Sequence, residues 1–258
     1  MNTLHVEITG HGPPLVLLHG WAMHGGIFAP LVDALRTRHT LHVVDLPGHG
    51  HSRGCATSLQ PQACARAILD AVPDAPWCGW SLGGLVAQQA ALLAPQRIPA
   101  LALVCATPKF VVADDWPHGM AREVFTGFEA GLRSDWHATI ERFIALEAFG
   151  SDHMREELKL LRDAVLARGA PSQRVLAEGL QVLEQGDLRA ALPTLAMPSV
   201  WLAGRRDRLV NPAAMQASAA LAPNARFVQI EHAGHAPFLT HAGTVAQALL
   251  HFLQEHAA

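Results

Sequence analysis

The chain has 258 residues, half of them apolar, with a formal net charge of −3 and a sequence pI near 6.6. That length suits one substantial domain with an insertion better than two independent folds, and the weak acidic balance argues against the broad basic face that nucleic acid or an anionic membrane would select. No run approaches the roughly 18 apolar residues of a membrane span, and "MNTLHVEITGHGPPLVLLHG" lacks a basic start followed by an apolar core and cleavage site, so a cytoplasmic protein with no membrane partner is expected.

From residue 4 to about 107, the runs "LHVEITG", "PLVLLHG", "TLHVVDLPG", "PWCGWS" and "LALVCAT" have strand character. Between them lie the helical patterns "IFAPLVDALRTR", "LQPQACARAILDAV" and "LGGLVAQQAALLA". Strands apolar on both faces and joined by helices predict an α/β fold with a mainly parallel central sheet flanked by helices. From Phe110 the strand signals stop, and "MAREVFTGFEAGL", "WHATIERFIALEAF", "HMREELKLLRDAVLA" and "QRVLAEGLQVLEQ" read as helices. Then "PSVWLAG" and "ARFVQIEHAG" restore strands, with "AAMQASAALA" between them and "GTVAQALLHFLQEH" as a final helix. The division expected is a first core segment at 1–109, a helical cap inserted at 110–192 before the last strands, and a second core segment at 193–258. Such a cap would cover the C-terminal edge of the sheet, where open α/β sheets bind ligands.

Gly79-Trp80-Ser81-Leu82-Gly83 matches G-x-S-x-G, with a strand before it and a helix directly after it. That context favours a turn that exposes the Ser81 hydroxyl over an ordinary glycine-rich turn. An acid and a base are then needed on loops after later strands, in that chain order. Asp207 in "WLAGRRDRLV" and His235 in "EHAGHAPF" fall there. His235 would take the Ser81 proton and return it to the leaving group, and Asp207 would fix the imidazole tautomer. His232 is the alternative base. Two oxyanion donors are expected from the backbone N–H groups of Leu82 and of Trp21 in "LVLLHGW", with His19 buried and structural. Asp45, His49 and Ser52 in "VVDLPGHGHS" imitate a triad, but their tight loop points to backbone satisfaction.

Sixteen histidines invite a metal reading, yet no H-E-x-x-H and no acidic cluster at ligand spacing accompanies them, and no G-x-G-x-x-G or P-loop lysine is present. Neither metal nor another cofactor is expected. Cys55, Cys64, Cys78 and Cys105 form no C-x-x-C pair and read as reduced, buried thiols.

"LLHGW", "DLPGHGHSRG", "GWSLGGLVA", the Asp207 loop and "GHAPF" resemble the α/β-hydrolase superfamily over essentially the whole chain. With "IERFIALEAFG" they are similar to its carboxylesterases of biotin synthesis, which hydrolyse the methyl ester of pimeloyl-acyl carrier protein. The resemblance implies Ser81 as nucleophile, Asp207 and His235 as its partners, and Trp21 with Leu82 as oxyanion donors. It implies an acidic carrier protein as partner, docking on a basic cap surface beside an apolar tunnel. Arg155, Lys159 and Arg162 fall at i, i+4 and i+7 on one predicted helix and Arg142 on the preceding one. Arg142, Arg155 and Lys159 are the docking candidates, although Ala138 and Lys159 stand where the family pattern has arginine, and an ordinary solvated helix is the competing account. Trp21, Trp80, Phe128 and Phe143 are candidates to contact the acyl chain. A monomer is expected. Two other functions fit the same residues: a broad esterase or lactonase for small free esters, and a non-catalytic binding protein that retains the fold.

Overall fold

The computed structural model describes residues 4–256, so the first three residues of the N-terminal stretch read above lie outside the described residues. The core begins with β1 (Val6–Gly10), β2 (Pro14–Leu18), α1 (Ala29–Leu35), β3 (Thr40–Val44), α2 (Pro61–Leu69), β4 (Trp77–Trp80), α3 (Leu82–Leu93) and β5 (Leu101–Val104). Four helices follow: α4 (Arg122–Ser134), α5 (Trp136–Ala148), α6 (Met154–Ala167) and α7 (Gln173–Gln185). The core resumes with β6 (Ser199–Gly204), α8 (Pro212–Leu221), β7 (Ala225–Ile230), α9 (Pro237–Thr240) and α10 (Ala242–Glu255).

The strands form one sheet in the order β1-β3-β2-β4-β5-β6-β7. Every neighbouring pair is parallel except β1 with β3, which is antiparallel. Strands β4, β5 and β6 are buried along their whole length, as helices on both faces require. The edge strands β1 and β7 are half exposed, so the expectation of strands apolar on both faces holds only for the inner ones.

Strand order reverses between β2 and β4, where Leu18 pairs with Gly79. The chain therefore leaves β2 and β4 side by side, and a crevice opens at that switch point. Asp207 follows β6 and His235 follows β7, whose ends are also paired, Gly204 with Ile230.

The four inserted helices are amphipathic. Phe125, Phe128 and Leu132 make one buried stripe of α4, and Val175, Leu176, Leu180 and Leu183 one of α7. Helix α4 packs on α5 and α7, and α5 packs on α6. Asp135 caps α5 by accepting from Ala138 N–H, and Ser172 caps α7 by accepting from Val175 N–H. The helices are tied to the sheet by specific polar contacts. Trp21 Nε1 donates to Leu176 O at 2.9 Å, and Arg168 reaches the buried Asp45 at 3.2 Å. No helix among the described residues is long and apolar enough to cross a membrane.

Candidate active site

Ser81 stands between β4 and α3 with φ 54° and ψ −120°. A non-glycine residue at positive φ is strained, and such strain persists only where the surroundings enforce it. Here the glycines on either side let the surroundings close in. A Cβ at Gly79 would lie 2.5 Å from Gly83 O, and one at Gly83 would lie 2.4 Å from Leu18 O. The turn thus packs backbone against backbone, with Gly84 N–H donating to Ser81 O at 2.9 Å to start the helix.

Asp207 and His235 come together. His235 Nδ1–H donates to Asp207 Oδ2 at 2.8 Å, and both side chains are fully buried. The other carboxylate oxygen, Oδ1, accepts from Leu209 N–H at 2.8 Å and Val210 N–H at 2.9 Å. Three donors therefore fix the carboxylate, and the carboxylate orients the ring through Nδ1. His235 Nε2 is buried and hydrogen-bonded to nothing, Ser81 included. Contacts between a nucleophile and its base are commonly loose before substrate binds and tighten in the complex. His232 is elsewhere: it is exposed, and its Nδ1 bonds Asp152 Oδ2 at 2.6 Å.

Neither Trp21 N–H nor Leu82 N–H donates to another group of the described residues, which leaves both available beside Ser81. Their loop is held by His19. Its Nδ1–H donates to Gly20 O at 2.8 Å, and its Nε2 accepts from Leu46 N–H at 2.9 Å. Burial, reinforced by His49, lowers the His19 pKa to about 3, so the ring is neutral and its two bonding roles are fixed. The imitation triad is a loop brace. Asp45 accepts from the N–H groups of Gly25 and His51, while Ser52 Oγ donates to Asp45 O at 2.7 Å.

At Ser81 lies a small apolar cavity of about 20 Å³, lined by Phe110, Phe125, Phe128, Phe143 and neighbouring aliphatic side chains. A larger surface hollow of about 860 Å³, beside Trp116 and α8, includes none of Ser81, Asp207 and His235. Phe128 and Phe143 are thus in the cavity wall, but two tryptophans are not. Trp80 is fully buried on the core side, edge-on to Phe238 at 5.1 Å, with Nε1 donating to His235 O at 2.8 Å. It braces the histidine loop and is not among the residues that line the cavity. The Trp21 ring packs edge-on against Phe143 at 4.6 Å and is not part of the cavity lining.

The basic residues of the insertion differ from one another. Lys159 is paired with Asp163 at 2.7 Å and Arg162 with Glu141 at 2.7 Å. Exposed Arg155 has no carboxylate partner among the described residues. Arg142 has none either; its guanidinium lies over the Phe128 ring, 5.6 Å from the centroid.

Two buried groups behind the His235 loop escaped the sequence reading. Glu147 is 1% exposed, and neither carboxyl oxygen has a partner. Burial, with Asp207 and Glu157 nearby, holds its pKa well above the carboxylate range. The periodicity of α5 carried the signal, because Phe143, Ile144, Glu147 and Ala148 share one buried stripe. Cys105 is the second. Its Sγ lies within 4.8 Å of ligand atoms of Asp207 and His235. Burial raises its pKa far above the thiol range, so it remains an S–H that donates to Gly234 O and accepts from Gly204 N–H. All four cysteines are free and buried.

A family model described as the alpha/beta hydrolase fold matches residues 13–242. Over 250 residues the chain is 56% identical to the pimeloyl-[acyl-carrier protein] methyl ester esterase of Stenotrophomonas maltophilia (strain K279a), covering 97% of this chain and 96% of that one. It is 53% identical to the enzyme of the same name from Xanthomonas campestris pv. campestris (strain B100), covering 97% and 98%. A solved hydrolase from Oleispira antarctica superposes with a TM-score of 0.86 at 21% identity, over 98% of this chain and 95% of that one. The chain belongs to the α/β-hydrolase fold family.

Proposed function

We propose that this carboxylic ester hydrolase is a serine esterase that cleaves the methyl ester of pimeloyl-acyl carrier protein, releasing methanol and the free carboxylate. The reading rests on one observation above others: relatives more than half identical over nearly the whole chain carry that name. The geometry is consistent with the chemistry. Ser81 Oγ attacks the ester carbonyl while His235 Nε2 takes its proton, and Asp207 stabilises the imidazolium. The carbonyl oxygen, now negative, accepts from Trp21 N–H and Leu82 N–H, which donate to no other group among the described residues. Methanol leaves with the proton from His235. Water, deprotonated by the same ring, then attacks the acyl carbon and restores Ser81.

In this reading residues 110–192 act as the cap, with the acyl chain against Phe128 and Phe143. The acidic carrier meets Arg142 and Arg155, the two cap arginines that have no carboxylate partner among the described residues. Lys159, engaged with Asp163, contributes less. The enzyme is taken as a cytoplasmic monomer.

The test is to mix purified protein with pimeloyl-acyl carrier protein methyl ester and follow methanol and carrier mass. The native protein should remove one methyl group and leave the thioester intact. Ser81→Ala should lose roughly 10⁴- to 10⁶-fold in kcat while folding normally. Cleavage of a small test ester without demethylation of the carrier would replace the carrier reading with that of a broad esterase.

A further inference from the structure

The reaction proposed above consumes one water and releases one methanol at a serine roofed by hydrocarbon. Phe110, Phe125, Phe128, Phe143, Leu180 and Leu183 offer water no hydrogen bond, and about 20 Å³ holds little more than one molecule. In the reading proposed above the acyl chain fills that cavity during deacylation, and a carrier held at Arg142, whose guanidinium lies over Phe128, covers the cavity wall on that side. Water needs another approach.

The fold has one on the far side of two residues. A polar vestibule of about 430 Å³ is lined by His118, Arg208, Asn211 and Gln229, and its floor includes Asp207. It shares Met120 and Leu209 with the cavity at Ser81. Both side chains are half-buried, and both have anchored backbones. Leu209 N–H donates to Asp207 Oδ1 at 2.8 Å, the carboxylate that also orients His235. Met120 is held by a bridge to the preceding strand-like segment, its N–H donating to Phe110 O at 2.7 Å and its carbonyl accepting from Val112 N–H at 3.0 Å. Only the side chains of the pair are free to part.

We propose that Met120 and Leu209 form a second mouth of the catalytic cavity, apart from the route of the acyl chain, admitting small hydroxylic molecules: water enters and methanol leaves there while the acyl chain fills the rest of the cavity. Water arriving by this route passes Leu209, whose N–H holds the Asp207 carboxylate, on its way to the cavity at Ser81. Its oxygen bonds to the acyl carbon, its proton passes to Nε2, the carbon–Oγ bond breaks, and the proton returns to Ser81 Oγ. The width of the mouth then sets which alcohols compete with water for the acyl-enzyme.

This inference rests on the serine-esterase reading, and the test separates the two. Purified native protein, Leu209→Ala and Met120→Ala are each given 4-nitrophenyl butyrate with methanol, propanol or butanol. Nitrophenol release measures acylation, and the ratio of alkyl butyrate to butyrate measures how the acyl-enzyme is divided. Widening the mouth should raise the share taken by butanol by about tenfold, the order expected for a pocket that gains apolar room, with little change for methanol. Leu209→Trp should give a nitrophenol burst followed by a slowed steady rate. Phe128→Ala, on the other side of the cavity, should alter acyl-chain preference and leave the alcohol ratio unchanged. The same ratio in native protein, Leu209→Ala and Met120→Ala would overturn the second mouth. Nitrophenol release undiminished in Ser81→Ala would instead overturn the serine-esterase reading itself.

Discussion

Asp207 illustrates how little freedom the site leaves its components. Its Oδ1 is held by two backbone N–H groups, so an asparagine there would keep its carbonyl oxygen on Leu209 and Val210 and turn its amide N–H₂ toward His235. The imidazole would have to accept at Nδ1 and carry its proton on Nε2, the tautomer that cannot act as base. Asp207→Asn should therefore fold with nearly native stability and lose about 10⁴-fold in kcat; steady-state kinetics beside a thermal melt would check both halves. The triad positions were legible because each depends on a local rule: glycines where backbones touch, and an acid and a base just past strands. The structure places Trp80 outside the lining of the cavity at Ser81 although the two are neighbours in sequence, because β4 ends at Trp80 and the chain turns sharply at Ser81. Glu147 was missed for another reason, since its stripe was visible but a carboxyl at a core position went unremarked.

Helix α5 links the insertion to the catalytic loop, as His235 N–H donates to Glu147 O at 3.4 Å. The Glu147 side chain makes that junction sensitive to pH. Its pKa is raised in the folded protein, so the folded state holds a proton that the unfolded chain releases near the ordinary carboxyl value. Stability from this group is full below about pH 4.5 and declines as pH rises toward the folded pKa. Glu157, also raised by burial, adds to the decline, although Ser151 and Thr240 donate to it. Glu147→Gln removes the titration and keeps the shape, so its gain in Tm should grow from about pH 5 to about pH 8. His19 and His49 act at the other end. Burial lowers them to about 3 and about 4, so stability present above about pH 6.5 is lost as acid forces protons onto both rings. A series of melts across pH should show the acid branch in native and Glu147→Gln protein alike, and a weakened alkaline branch only in the variant. At this level the sequence was most readable where period and length were clear, as in α4 to α7. It was least readable for β1, because an antiparallel edge strand has the same local pattern as a parallel one and its direction is decided only by pairing.

Across the whole molecule, charge is spread unevenly despite the small net value. Most exposed cations of the insertion are already matched, Lys159 with Asp163 and Arg162 with Glu141, which leaves Arg142 and Arg155 as the ones able to attract an acidic partner. Removing either, as Arg142→Ala or Arg155→Ala, should lower kcat/KM on the carrier substrate several-fold and flatten its dependence on salt, since rim charges act mainly on encounter. Turnover of a neutral small ester should be unchanged, and equal losses on both substrates would remove the docking role. Such pairing depends on which faces the folded helices present, and sequence spacing alone could not have separated Lys159 from Arg155.

The small apolar cavity at Ser81 would also make the enzyme a gauge of chain length. A pimeloyl chain needs more room than about 20 Å³, so its binding has to widen the cavity, and the cost of widening is set against the affinity the chain gains. Each methylene buried in the opened space returns about 0.8 kcal/mol, or roughly fourfold. Short esters recover least, and successive homologues should climb in kcat/KM by up to that ratio until the chain outgrows the space. Discrimination would then come from apolar area alone, since Ser81 is the one polar residue in the cavity lining among the described residues.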